Sequence, residues 1–208
     1  IYNKFKKHEA DILIGTQMVA KGLHLPKVKL VGVILADIGL NIPDFRSTER
    51  NFQLMTQVAG RAGRAKDRGT VVIQTYNPDN ISLTCAKEHD VEKFMEHERN
   101  QRQLMRNPPF SKLIKLLVED KSITKCKNIC EEIERKLWQL ARENEETKNL
   151  EILSYPAYFA QYKGKHRYIL LIKYIAQRFL EQESLENILK DYIMAKNIKV
   201  DPSPITVS

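Results

Sequence analysis

Apolar residues recur along this chain in two rhythms, and the rhythm changes near the middle. In the first half, Ile12 to Gly15, Lys29 to Asp37 and Gly69 to Tyr76 are short, nearly continuous apolar runs, the pattern of buried strands. The last of these is rich in β-branched residues. Between the second and third, Phe52, Met55, Val58, Ala59 and Ala62 keep helical spacing. They predict a helix from about Ser47 to Arg61, with Ser47 as its N-cap. Buried strands joined through helices imply a parallel α/β sheet. A further helix is predicted from about Ile81 to Arg106, on Val91, Phe94, Met95 and Leu104. Asn107-Pro108-Pro109-Phe110 stops it, since proline cannot continue a helix, and this places a domain boundary between 1–106 and 107–208.

The second half alternates differently. Lys112 to Glu119 reads as a strand. Ser122 to Glu146 reads as a long amphipathic helix, with Ile123, Cys126, Ile129, Cys130, Ile133, Leu137 and Leu140 in register. Leu150 to Tyr155 and Arg167 to Tyr174 read as strands joined by a basic loop. Gln177 to Lys196 is another helix, with Leu185, Ile188, Leu189, Tyr192 and Ile193 as its stripe, and Ile198 to Val200 a last short strand. The order βαββαβ matches a split-βαβ, ferredoxin-like α+β unit.

Composition narrows the partners. The 208 residues carry a net charge of +8, which favours a polyanion and nucleic acid first, although a lysine-rich proteome produces the same number. No apolar run approaches the ~20 residues needed to span a bilayer, and no signal-peptide pattern opens the chain, so no membrane role is expected. The first residue is Ile1 rather than Met, within a charged stretch, so the chain reads as a piece of a longer protein. Lys4, Lys6 and Lys7 read as a solvated helix face. Cys85, Cys126 and Cys130 lack metal spacing and read as reduced, buried thiols of a cytoplasmic protein, with no metal site in this chain.

Three segments carry candidate chemistry. Gln57-Val58-Ala59-Gly60-Arg61-Ala62-Gly63-Arg64 places an amide and two guanidiniums at i, i+4 and i+7 of a helix, with small residues that admit another surface. Arginine pairs bidentately with phosphate oxygens and stays charged, the equipment of an arginine finger. Gly15 to Pro26 begins at the carboxyl end of the first predicted strand, where open α/β sheets bind ligands. Its Thr16, Gln17 and Lys21 offer a hydroxyl, an amide and a cation to phosphates. Tyr158 to Tyr168 interleaves Tyr162, Lys163, Lys165 and Arg167 around a glycine turn. This is the footprint of a single-strand binder, or else a hairpin with core aromatics and a solvated basic tip.

Gly15 to Pro26 resembles motif V of superfamily 2 helicases, and Gln57 to Arg64 resembles motif VI. Asp44 to Arg50 and Pro108-Pro109-Phe110 are similar to one family within them, the bacterial primosomal replication-restart helicases of the PriA type. The resemblance implies an ATP-dependent 3′ to 5′ DNA helicase that recognises stalled forks and assembles a primosome. It implies a RecA-like second lobe over 1–106 and a DNA- and partner-binding domain over 107–208. Gln57, Arg61 and Arg64 then face the ATP phosphates, Gly60 and Gly63 allow close approach, and Gly22, His24 and Asp37 lie near the nucleotide. His24 stands where many such helicases carry an aspartate, and it also fits a hydrogen-bonded loop histidine. Asp37 fits either an orienting role beside motif VI or a cap on the following turn. Thr16, Gln17 and Lys21 contact the single strand, and the basic hairpin also fits the acidic tail of single-stranded DNA-binding protein. Primosome loader proteins are further implied partners.

This chain has no Gly-x-x-x-x-Gly-Lys-Ser/Thr stretch and no acidic pair of the Walker B kind. ATP and Mg²⁺ are therefore expected to be completed by another segment, and the isolated chain is expected to lack ATPase activity. The resemblance also implies Zn²⁺ held by cysteines outside this chain. Two alternatives remain: the second lobe of another superfamily 2 helicase, and a nucleic-acid-binding adaptor without catalysis.

Overall fold

The structure is a computed structural model. It describes residues 2–17, 28–60, 69–143, 149–175, 182–204 and 206–207. The chain divides into two compact units, one of residues 1–42 and 46–98, the other of 43–45 and 99–208.

In the first unit, after the short helix α1 (Tyr2–Lys6), β1 (Leu30–Val33) pairs in parallel with β2 (Thr70–Ile73), in register from Leu30↔Thr70 to Val33↔Ile73. Helix α2 (Ser47–Ala59) lies between them in sequence, α3 (Ile81–Glu88) follows, and α4 (Val91–Leu104) belongs to this unit as far as Glu98. Their core is Ala36, Phe52, Met55, Leu83, Cys85, Ala86 and Phe94, with Phe52 stacked on Phe94 at 4.0 Å between ring centroids. Asn51 Nδ2 donates to Ser82 Oγ at 2.9 Å, a buried polar tie between α2 and α3.

Several expectations for this unit are corrected. Ile12 to Gly15 is not a strand: it is irregular, and Ile12 and Ile14 are exposed, because no described strand pairs with it. A strand without a ladder leaves its N–H and C=O groups to water. The Lys29–Asp37 run is extended only to Val33, since Leu35 turns into the left-handed region (φ 60°) and a 3₁₀ turn, Ala36–Gly39, follows. The paired strands are not buried on both faces, as Leu30 is 63% and Val72 56% exposed. Ser47 is the first residue of α2 rather than its N-cap, and its hydroxyl donates to the Ile42 carbonyl at 2.6 Å. The single helix expected over Ile81–Arg106 is two helices. Residue His89 (φ 56°) ends α3 in the left-handed conformation, and Asp90 Oδ1 accepts the Lys93 N–H to start α4.

The second unit holds β3 (Lys112–Asp120), α5 (Ile123–Glu143), β4 (Leu150–Tyr162), β5 (Lys165–Tyr174), α6 (Gln182–Ile193) and β6 (Ile198–Asp201). The sheet order is β4-β5-β3-β6, every neighbour antiparallel. Strand alternation gives the sheet two apolar faces. Ile114, Leu116, Val118, Leu170 and Ile172 pack with Cys126, Cys130, Ile133 and Leu137 of α5 and Leu189 of α6. Leu113, Ala157, Ile169 and Leu171 form a second cluster on the opposite face with Val207, and Phe45 joins it. The chain end is clasped there. The Thr206 hydroxyl and the Val207 N–H donate to Asp44, Lys115 Nζ donates to the Thr206 carbonyl at 2.7 Å, and Tyr155 OH to the Val207 carbonyl at 2.8 Å.

The basic loop expected between β4 and β5 is also corrected. The strands run on to Tyr162 and Lys165, so only Lys163 and Gly164 turn, with φ 50° and 74°. Positive φ at both central residues is what a tight two-residue hairpin requires, and glycine is unstrained there. A register shift between Pro156 and Gln161 interrupts the β4–β5 ladder and sets Tyr158 and Phe159 on irregular backbone.

Candidate nucleic-acid interface

The structure describes part of the predicted site. Thr16 and Gln17 are exposed, Thr16 in a bend and Gln17 at a helical residue. Lys21, Gly22, His24, Arg61, Gly63 and Arg64 lie outside the described residues. Helix α2 is described to Ala59, with Gly60 as its C-cap, and Gln57 is exposed on its last turn. A Cβ on Gly60 meets only backbone oxygens, Thr56 at 3.5 Å and Gln57 at 3.8 Å, so nothing among the described residues demands glycine there.

Asp37 is fully engaged. Oδ1 accepts the Thr75 hydroxyl at 2.8 Å and Oδ2 the Tyr76 N–H at 3.0 Å. These hydrogen bonds, the Tyr76 amide first, hold its carboxyl below the usual aspartate range. The carboxylate thereby ties the turn after β1 to the chain leaving β2. Among the described residues no group of three His, Cys, Asp or Glu side chains converges to hold a metal. Cys85, Cys126 and Cys130 are free, buried thiols.

The hairpin brings the other predicted residues together. Tyr162, Lys163 and Lys165 are exposed at its tip, and the Lys163 ammonium and Arg167 guanidinium lie 5.2 Å and 5.7 Å from the Tyr162 ring centroid. Tyr158 and Phe159 are exposed and meet edge to face at 5.1 Å. Tyr168 is the one aromatic of this segment that enters the core. Arg167 is less free than its neighbours, because its Nε lies 3.2 Å from Glu119 Oε1, and Lys199 Nζ reaches Glu119 Oε2 at 3.1 Å.

On the face of the sheet opposite α5 and α6, Lys115, Leu117, Ala157, Tyr158, Phe159, Arg167 and Ile169 line a pocket of about 170 Å³. Burial pulls the Lys115 ammonium below the usual lysine value, Asp201 and Asp44 counter this, and Arg167 adds to it. Lys115 was absent from the residues singled out in the sequence. Its signal is a cation between Leu113 and Leu117 on one alternating face, legible only once the pocket is known.

Residues 1–66 match the helicase conserved C-terminal domain. The replication restart protein PriA of Bacillus subtilis is 42% identical over 192 residues, covering 92% of this chain and 23% of that protein. The PriA of Synechocystis is 38% identical over 211 residues (99% and 24%), and that of Borreliella burgdorferi 35% identical over 208 (99% and 31%). The chain spans about a quarter of the length of these relatives. It belongs to the PriA family of superfamily 2 helicases and corresponds to their C-terminal region.

Proposed function

We propose that this chain is part of an ATP-dependent 3′ to 5′ DNA helicase that recognises stalled replication forks and restarts replication by primosome assembly. The observation that carries this is identity to PriA proteins along almost the whole chain, 99% of it in two of them. Residues 1–106 act as a RecA-like second lobe, and the parallel β1–β2 pair with α2 between supports that reading. Gln57, Arg61 and Arg64 stabilise the ATP phosphates, Gly60 and Gly63 let them approach, and Gly22, His24 and Asp37 border the nucleotide. Thr16, Gln17 and Lys21 touch the DNA strand. Residues 107–208 form a ferredoxin-like module, a reading that the β4-β5-β3-β6 order supports. Its hairpin, with Tyr162, Lys163, Lys165 and Arg167, contacts DNA, and the acidic tail of single-stranded DNA-binding protein and loader proteins are further partners. Mg²⁺ accompanies ATP on segments beyond this chain, Zn²⁺ is held elsewhere in the longer protein, and the setting is bacterial cytoplasm.

The test is DNA-stimulated ATPase activity. The 208-residue chain alone is expected to show none, and Arg64→Ala in the longer protein to lose ~10³-fold in turnover. Turnover by the isolated chain that Arg64→Ala abolishes overturns the division of the site between segments.

A further inference from the structure

The pocket on the sheet face opposite α5 and α6 has the chemistry that suits a nucleotide. It lies against two cations, Lys115 and Arg167, and two exposed aromatic rings, Tyr158 and Phe159. These come from three strands, β3, β4 and β5. Its volume of about 170 Å³ is several times the ~30 Å³ share of one water in the liquid, so it admits a group larger than a solvent molecule. Phe159 is 67% exposed at the rim, a large ring that the fold leaves in water. The Arg167 Nε is buried and has no hydrogen-bond partner among the described residues. Its approach to Glu119 is a charge contact without hydrogen-bond geometry, so a donor remains to be satisfied. Lys115 donates to the Thr206 carbonyl and keeps further N–H donors on its ammonium.

We infer that this pocket is a single-nucleotide subsite for single-stranded DNA, with a phosphate between Lys115 and Arg167 and the adjoining base against Phe159 and Tyr158. Two positive groups select a phosphate, and the aromatic faces accept any base, so the subsite reads backbone and stacking rather than sequence. The pocket is continuous with the hairpin through Arg167, which borders it and also lies 5.7 Å from the Tyr162 ring. A strand leaving the basic tip therefore runs down onto the sheet face. The inference rests on the reading of the hairpin as a DNA contact.

The experiment is fluorescence anisotropy of the 208-residue chain with a short labelled oligo(dT) across a salt series. Phe159→Ala, at an exposed position, is expected to weaken binding about tenfold with an unchanged salt slope, since it removes stacking and no charge. Lys115→Met is expected to weaken binding and flatten the salt slope by about 0.7, the loss of one phosphate contact on a single strand. Thermal melts accompany it, because Lys115 also holds the chain end. If both variants bind like the parent while Lys163→Glu/Lys165→Glu binds weakly, the subsite is overturned and the hairpin reading stands. If the hairpin variant also binds like the parent, the hairpin reading falls with it. Loss of binding to an aspartate-rich peptide in Phe159→Ala, with oligo(dT) binding intact, overturns the inference in favour of a protein partner.

Discussion

Glu119 and Arg167 face each other across the antiparallel β3–β5 pair, with a carboxylate oxygen 3.2 Å from the guanidinium Nε. Both side chains are partly buried, so the pair is screened less than a surface ion pair. The carboxylate competes with any phosphate for Arg167, and through its second oxygen for Lys199. Glu119→Gln is therefore expected to raise affinity for oligo(dT) several-fold and steepen its salt dependence. A titration that matches the parent would leave the pair a purely structural tie.

Asp44 holds the end of the chain by accepting from the Thr206 hydroxyl and the Val207 N–H. Hydrogen bonds to a charged acceptor are worth ~1.5–3 kcal/mol each, and some of that is recovered by water at a chain end. Asp44→Ala is expected to destabilise the second unit by about 2 kcal/mol in urea unfolding and to speed limited proteolysis near Thr206. Stability and proteolysis equal to the parent would count against the clasp.

Phe94 is fully buried and stacked on Phe52 at 4.0 Å, joining α4 to α2. Phe94→Ala removes its transfer free energy and leaves a cavity, for a loss of about 3–5 kcal/mol. Phe94→Leu is expected to keep most of the stability. Equal unfolding midpoints for the two variants would contradict this account.

Asp37 ties the chain on either side of the β1–β2 pair with a carboxyl held below its ordinary value of 3.8. A depressed carboxyl contributes stability that is fully present above the unfolded value and lost as pH falls through the folded one. Asp37→Asn is thus expected to lower the melting temperature at pH 7. The gap to the parent narrows below about pH 4, as the parent's carboxyl protonates. A gap independent of pH would show that shape rather than charge makes the tie.

The three cysteines are each buried, and burial pushes the Cys130 thiol up to about 12 and raises Cys85 and Cys126. Thiolate is the reactive form, so Ellman's reagent at pH 8 is expected to label none of them in the folded chain and all three in denaturant. Rapid labelling of the native chain would contradict their burial.

The second unit was more legible in the sequence than the first. Lys112 to Asp120 and Lys165 to Tyr174 are long strands with one apolar face toward α5, so their alternation is strong. In the first unit the apolar run at Ile12 lacks a described partner, and His89 ends a helix by a backbone conformation that no apolar spacing reports. The hairpin residues Tyr162, Lys163 and Lys165 were legible as a cluster because they are adjacent. The extension of both strands to a two-residue turn is not legible there, because Lys163 adopts a positive φ more often taken by glycine, asparagine or aspartate.

Composition and local pattern settled what depends on neighbours in the chain: the α/β and α+β halves, the basic and aromatic hairpin, the motif segments and the family they resemble. Periods of 2 and 3.6 residues are local quantities, and they survive in any fold. Tertiary structure alone decided what joins distant positions. Lys115 meets Thr206 91 residues away, Asp44 accepts from Thr206 and Val207 at the far end of the sequence, and Glu119 pairs with Arg167 of the hairpin. Such contacts follow from strand order and register, which are set by the burial of whole faces and not by any single segment.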